Sequence, residues 1–242
     1  RRLHAGDLTS LMVIAHVLVT PAPPGGFSAT GLAEALGLAR RALLPRLNAL
    51  AESGVLERRE EGFGLGLAHF RSSVALEIRH AVADLTRTFV AELLDHDRSG
   101  RLPARLDLDA AEDSAVFLAS AQLNLNLLRG MVPWTEGDVM LGIAFLAVRD
   151  SNTRHLTWDQ LAGWLDAGRG IPDEARRAAT VAGLSQRLGT SREAMNRCVR
   201  RMVEAGSCRT VEGGFLANEQ IFETPLAQAA ERRNRHYVRR FL

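Results

Sequence analysis

The stretch TSREAMNRCVRRMVEAG, Thr190 to Gly206, concentrates side chains that can recognise an anion or a hydrogen-bonding edge. Arginine presents a planar fork of donors that fits a phosphate or the O6/N7 edge of guanine, and glutamate accepts from cytosine N4. With each residue advanced by about 100°, Arg192, Glu193, Asn196, Arg197, Arg200, Arg201 and Glu204 fall on one half of a helix. Ala194, Met195, Cys198, Val199, Met202, Val203 and Ala205 fill the other half. Ser191 is a good N-cap, Glu193 suits the first-turn dipole, and Gly206 supplies the left-handed stop. Two readings of this helix alone stay open: a solvated surface helix, or one whose polar side reads a partner.

The elements around it favour the second reading. Thr180 caps a short apolar helix, VAGLSQRLG, that ends at Gly189, so a helix, a glycine turn and a Ser-capped amphipathic helix follow in helix-turn-helix order. After Gly206, SCRTVEGGFLAN reads as a β-hairpin around Glu212–Gly214, the wing. Ahead lies DVMLGIAFLAV, Asp138 to Val148, an apolar helix able to back the core. The expected architecture is a winged helix-turn-helix. The segment LGTSREAMNRCVRRMVEAG also resembles the winged helix of the catabolite-activator (Crp/Fnr) regulators, whose recognition helix opens Ser-Arg-Glu with another Arg four residues after the Glu. That resemblance, over about twenty residues, implies that Arg192, Glu193 and Arg197 face bases and Ser191 approaches a phosphate. No β-roll cyclic-nucleotide domain precedes it here, so the family's ligand and activation mechanism are not implied.

The chain also repeats itself. At an offset of 152 residues, Gly31–Phe63 lies without gaps over Gly183–Phe215. Gly31, Leu36, Gly37, Arg40, Glu52, Gly54, Gly62 and Phe63 recur as Gly183, Leu188, Gly189, Arg192, Glu204, Gly206, Gly214 and Phe215. GDLTSLMVIAHV from Gly6 pairs with GDVMLGIAFLAV from Gly137 at an offset of 131, so the second copy carries 21 extra residues between its first two helices. The copies differ in chemistry. The first holds Arg40, Arg41, Leu44, Pro45, Asn48, Ala49 and Glu52 on the face equivalent to the reading face. Pro45 sits inside the helix, where a lost hydrogen bond and a ring clash cost roughly 3 kcal/mol unless a kink is tolerated. Arg46 falls on the expected core side. Gly31–Phe63 has five Arg against five Glu, and Gly183–Phe215 six Arg against three Glu. The second copy is therefore expected to be the main reader.

The expected fold is mainly α with small β-hairpin wings: two winged helix-turn-helix units in tandem joined by long helices. Its boundaries are 1–70 for the first unit, 71–135 for a helical linker or dimerisation region, 136–222 for the second unit with an insertion at about 150–180, and 223–242 for a C-terminal helix. In the linker, Val74, Ile78, Ala81, Val82, Leu85, Phe89 and Leu93 form a stripe expected to be core or a homodimer interface. A second linker helix sets Gln122, Asn124 and Asn126 among leucines, a set that also suits the lining of a small-molecule pocket. In the insertion, Trp158, Leu161, Trp164 and Leu165 share a face expected to pack onto the winged helix. The last helix carries Arg232, Arg233, Arg235, Arg239 and Arg240 beside a Leu226/Ala230/Tyr237/Phe241 seam. It halts sooner than its counterpart and the chain lacks an initial Met, so a trimmed protein is expected.

Catalysis is not expected. The seven histidines are scattered, and no nucleophile–base set, HExxH or phosphate loop appears. Cys198 and Cys208 lack zinc-ligand spacing and read as core. The 30 basic residues are all arginine and the net charge is only +2, which neither demands nor excludes an anionic partner. No signal peptide or membrane-length apolar run is present, so a cytoplasmic protein is expected. These readings converge on a sequence-specific regulator of transcription that binds double-stranded DNA, needs no cofactor or metal and does not enter membranes. Its expected contacts are Ser191, Arg192, Glu193, Asn196, Arg197, Arg200, Arg201 and Arg209, with Arg40 and Arg41 from the first copy. The alternatives are a winged-helix protein scaffold and a replication-initiator-like DNA-binding protein.

Overall fold

The computed structural model describes residues 8–95, 108, 111–166 and 171–241. In chain order the first half contributes α1 (Leu8–Val19), α2 (Ala29–Leu36), α3 (Arg40–Glu52), β1 (Leu56–Arg58), β2 (Phe63–Leu65), α4 (Leu67–Phe70), α5 (Ser73–Asp95) and α6 (Asp113–Met131). The second contributes α7 (Val139–Thr153), α8 (Trp158–Asp166), α9 (Val181–Leu188), α10 (Arg192–Glu204), β3 (Cys208–Val211), β4 (Gly214–Ala217) and α11 (Pro225–Phe241). The protein is mainly helical, with two small antiparallel hairpins, β1–β2 and β3–β4. Two compact units emerge among the described residues: 8–133 together with 230–241, and 134–229.

Each unit repeats one local plan for the same physical reasons. α2 and α9 begin and end 152 residues apart, as do α3 and α10. Ser28 Oγ accepts from Gly31 N and Thr180 Oγ1 from Gly183 N, capping the paired helices. Gly37 and Gly189 end them in the left-handed region, at φ 68° and 61°. A third short pairing precedes each: Phe27 exchanges two backbone hydrogen bonds with Phe63, and Ala179 does so with Phe215. That crossing explains a recurring glycine pair. A Cβ on Gly62 would strike the Phe27 carbonyl, and one on Gly214 the Ala179 carbonyl.

In the first unit Met12, Val13, Leu32, Leu36, Leu43, Leu47 and Leu56 are almost wholly buried. α1 and α5 both pack on α6. A smaller cluster of Ala83, Val90, Leu108 and Val116 takes up Val238 and Phe241 from the end of α11. The second core joins Phe145 and Val148 of α7, Leu184 of α9, Met195, Val199 and Met202 of α10, and Cys208 and Ala217 of the hairpin.

Several sequence expectations need correction. Arg46 does not lie in the core: α3 buries Leu43, Leu47 and Leu50, and Arg46 is exposed. Pro45 does lie inside α3, as expected, and the helix runs for 13 residues with the proline on its exposed side. The α5 stripe is not core either. Val74, Ile78, Leu85 and Phe89 retain 60, 48, 70 and 49% exposure, whereas Ala83, Thr86 and Val90 are buried. Small and β-branched side chains let α6 approach closely, so the narrower stripe is the one that packs. In α8 none of the described side chains is buried; Leu161 and Trp164 are only half-covered, and the Trp158 and Leu165 side chains lie outside the described residues. The side chains of Arg239 and Arg240 lie outside them too.

Candidate functional site

α10 is held by one face and free on the other. Met195, Cys198, Val199 and Met202 are 8% exposed or less, while Ser191, Arg192, Glu193, Asn196, Arg197, Arg200 and Arg201 all face solvent. Ser191 Oγ accepts from Ala194 N at 3.1 Å, so this hydroxyl starts the helix. The turn before it is locked by Ser185, whose Oγ donates to Thr190 O at 2.7 Å and whose carbonyl accepts from Thr190 N at 3.1 Å. These bonds fix the angle at which α10 leaves α9.

Two kinds of residue stand on the exposed face. Arg192, Asn196 and Arg200 have no hydrogen-bond or ion-pair partner among the described residues, and they follow one another at four-residue spacing. The row spans about 12 Å along the helix axis, the length of three to four base pairs at about 3.4 Å each. The other cations are engaged. Arg197 pairs with Glu193 one turn earlier, Arg201 with Asp138 at the start of α7, Arg209 of the hairpin with Asp173, and Arg187 with Asp150. Arg197, Arg201 and Arg209 keep 46–61% side-chain exposure, and exposed pairs of this kind contribute only about 0–1 kcal/mol. A phosphate can displace such a carboxylate at little cost.

The equivalent face of α3 is poorer. Arg40 and Arg41 are exposed and unpaired among the described residues, but Ala39 offers no side-chain cap. Asn48 already accepts from Arg58 Nη2 at 2.8 Å, and Arg58 lies over the Phe63 ring at 5.5 Å. Arg40, Arg41, Leu44, Pro45 and Asn48 line a shallow open depression with a partly apolar floor. All ten expected contact residues are thus on exposed surfaces, on α10, the second hairpin and α3.

A further set of residues positions the second hairpin, and sequence reasoning missed it. Asn152, 1% exposed on α7, donates through Nδ2 to the carbonyls of Arg177 and Phe215 and accepts from Ala217 N at 2.9 Å. Arg176, its side chain 6% exposed, donates to the Ala217 carbonyl at 2.7 Å. A polar residue on the buried side of an apolar helix is the one sequence signal that pointed there. The end of the insertion therefore serves to tie the hairpin to α7.

The thiols are structural. Burial pushes Cys208 up to about 12 and, with a smaller contribution from Asp138, raises Cys198 as well. No cluster of three or more metal-ligating side chains occurs among the described residues, and no described helix is long and apolar enough to cross a membrane. No family model, no curated protein and no solved structure matches the chain.

Proposed function

We propose that this protein is a tandem winged helix-turn-helix regulator that binds double-stranded DNA in sequence-specific fashion, with α10 as the main major-groove reader. The observation that carries this reading is the unpartnered row Arg192–Asn196–Arg200. It stands opposite a fully buried face, on the second helix of a tight helix–turn–helix flanked by a hairpin. An arginine fork selects guanine and an asparagine selects adenine by paired hydrogen bonds. The residues engaged in exposed ion pairs, Arg197, Arg201 and Arg209, suit phosphate contacts that position the helix. Ser191 serves as the cap and Glu193 as a base acceptor once Arg197 turns to the DNA. The first copy is a weaker reader through Arg40 and Arg41. Selection from a random duplex pool tests this reading. Enrichment of a defined motif, footprinted by the whole protein, is expected. Failure to enrich any motif, with equal retention of all duplexes, would leave a non-specific binder or a protein scaffold instead.

A further inference from the structure

We propose that the first copy reads thymine by its methyl group, with Leu44 and Pro45 of α3 as the apolar contact and Arg40 and Arg41 as guanine-selecting forks beside them. This rests on the DNA-binding reading and adds a base and the side chains that choose it. The internal repeat leads there. α3 and α10 have the same bounds 152 residues apart, so Arg40, Leu44 and Asn48 occupy the positions of Arg192, Asn196 and Arg200. Only the first member of the row is unchanged. In the middle an amide has become a leucine, which is 36% exposed. The C5-methyl of thymine is the one apolar group on a base edge in the major groove, so an exposed leucine in a reading row selects it.

The third member has changed as well. Arginine only donates, so the 2.8 Å bond from Arg58 Nη2 engages the Asn48 oxygen, which an asparagine needs for the N6 amino group of adenine. The proposed phosphate contacts of the second copy are also replaced: Arg197, Arg201 and Arg209 correspond to Pro45, Ala49 and Glu57. Pro45 and Ala49 are exposed, and Glu57 pairs with Arg59 at 2.7 Å. What this face offers is the shallow open depression lined by Arg40, Arg41, Leu44, Pro45 and Asn48.

Size and charge select the occupant. An apolar strip of Leu44, Pro45 and Ala49 falls far short of the roughly 800 Å² that each partner buries in a protein interface. An open hollow also leaves a small molecule mostly uncovered, unlike a ligand pocket. A methyl group projecting from a base edge needs only such a spot. Arg40 and Arg41, exposed and unpaired among the described residues, match the guanine edges and phosphates around it. Leu44 follows Arg40 by about 6 Å along the helix axis, which sets the thymine about two base-pair steps from the guanine that Arg40 selects. Without phosphate contacts like those of α10, this reader depends on tethering by the second copy in the same chain.

The test uses the whole protein and its selected duplex, with each thymine replaced in turn by uracil, which keeps every hydrogen-bonding group and removes only the methyl. A loss of affinity of roughly fourfold is expected at one or two thymines, the equivalent of about 0.8 kcal/mol for one buried methyl. Leu44→Ala should abolish the difference between thymine and uracil at those positions, and Leu44→Met should keep it. Leu44→Asn, which installs the residue of the second copy, should turn the preference at that base pair from thymine to adenine. Tm measured on each variant separates a change in reading from a loss of fold. A selected motif in which uracil is tolerated at every thymine overturns the proposal and leaves α10 as a reader. A uracil effect that persists in Leu44→Ala assigns the methyl contact to another element and overturns it too. A pool that yields no motif removes the DNA-binding reading itself, and this proposal with it.

Discussion

Arg192, Asn196 and Arg200 differ from the charged residues around them in having no partner to leave among the described residues. On the proposed reading, a base-edge contact by these side chains breaks no internal pair, whereas Arg201 and Arg209 would exchange Asp138 and Asp173 for a phosphate. Arg192→Ala and Arg200→Ala should each weaken the selected duplex by about 1–3 kcal/mol and relax preference at one base, read by competition on single-base variants. Arg201→Ala and Arg209→Ala should weaken selected and scrambled duplexes alike, by about 1 kcal/mol or less at moderate salt. Equal losses for all four on both duplexes would remove the division between readers and positioners. A second residue-scale consequence concerns His16, 6% exposed on α1, whose Nδ1 faces Arg129 Nη2 at 2.9 Å and Thr20 Oγ1 at 3.1 Å. Burial first, and the Arg129 charge second, hold its pKa below the usual 6.5. The unfolded chain therefore takes up the proton more readily, so this contribution to stability is full above about pH 6.5 and is lost as pH falls toward the depressed native value. Tm of the first unit should drop between pH 7 and 5, and His16→Leu should flatten that dependence. An unchanged slope in the variant would assign the acid sensitivity elsewhere.

At the scale of elements, α3 and α10 are the same helix with different ends. Ser191 caps α10, while Ala39, the equivalent residue, leaves the first amides of α3 without a side-chain acceptor. Ala39→Ser should stabilise the first unit by about 1 kcal/mol, and Pro45→Ala should also raise its Tm by restoring a backbone donor; both are read by thermal denaturation. Failure of the serine to stabilise would mean that the turn before α3 departs from the one before α10. Asn152 carries the opposite expectation. Asn152→Leu strands Ala217 N and the Arg177 carbonyl in the interior, while the Phe215 carbonyl keeps its bond from Ala179 N, and should cost the second unit about 2–4 kcal/mol by urea denaturation. A loss under 1 kcal/mol would show that the hairpin docks without the clamp. Much of this plan was legible in the residues: Thr180 and Ser191 as caps, Gly37 and Gly189 as stops, and the polar and apolar halves of α10. The short pairings of Phe27 with Phe63 and Ala179 with Phe215 were not, because a single bridge leaves no periodicity. Of the two roles expected for the exposed side of α5, core or homodimer interface, its exposure removes the first, and the reason lies in how periodicity is read. Periodicity weighs hydrophobicity, yet the packed side is made of Ala83, Thr86 and Val90, which are chosen for size. Arg46 was misplaced because its counterpart Cys198 marks the rim of the α10 core, and at a rim a long cation turns outward.

For the whole molecule, one plan is used twice with unequal surfaces. The first unit adds α5, α6 and the end of α11 to its helices and hairpin, whereas the second adds the inserted segment that anchors its hairpin through Asn152 and Arg176. The unit with the clamped hairpin is also the one with the free polar row, which is where a rigid mounting matters most, since a reading helix must hold its side chains to within a fraction of an ångström. The most direct measurement is the affinity of the whole protein for its selected duplex as a function of salt, with Arg192→Ala/Arg200→Ala in parallel. The expected result is a log–log slope of about −3 to −5 for the wild type, from three to six phosphates at about −0.9 each. The double variant should keep most of that slope while losing at least a hundredfold in preference over scrambled DNA. Absence of duplex binding at low salt, or a double variant that discriminates as well as the wild type, would contradict α10 as the reader.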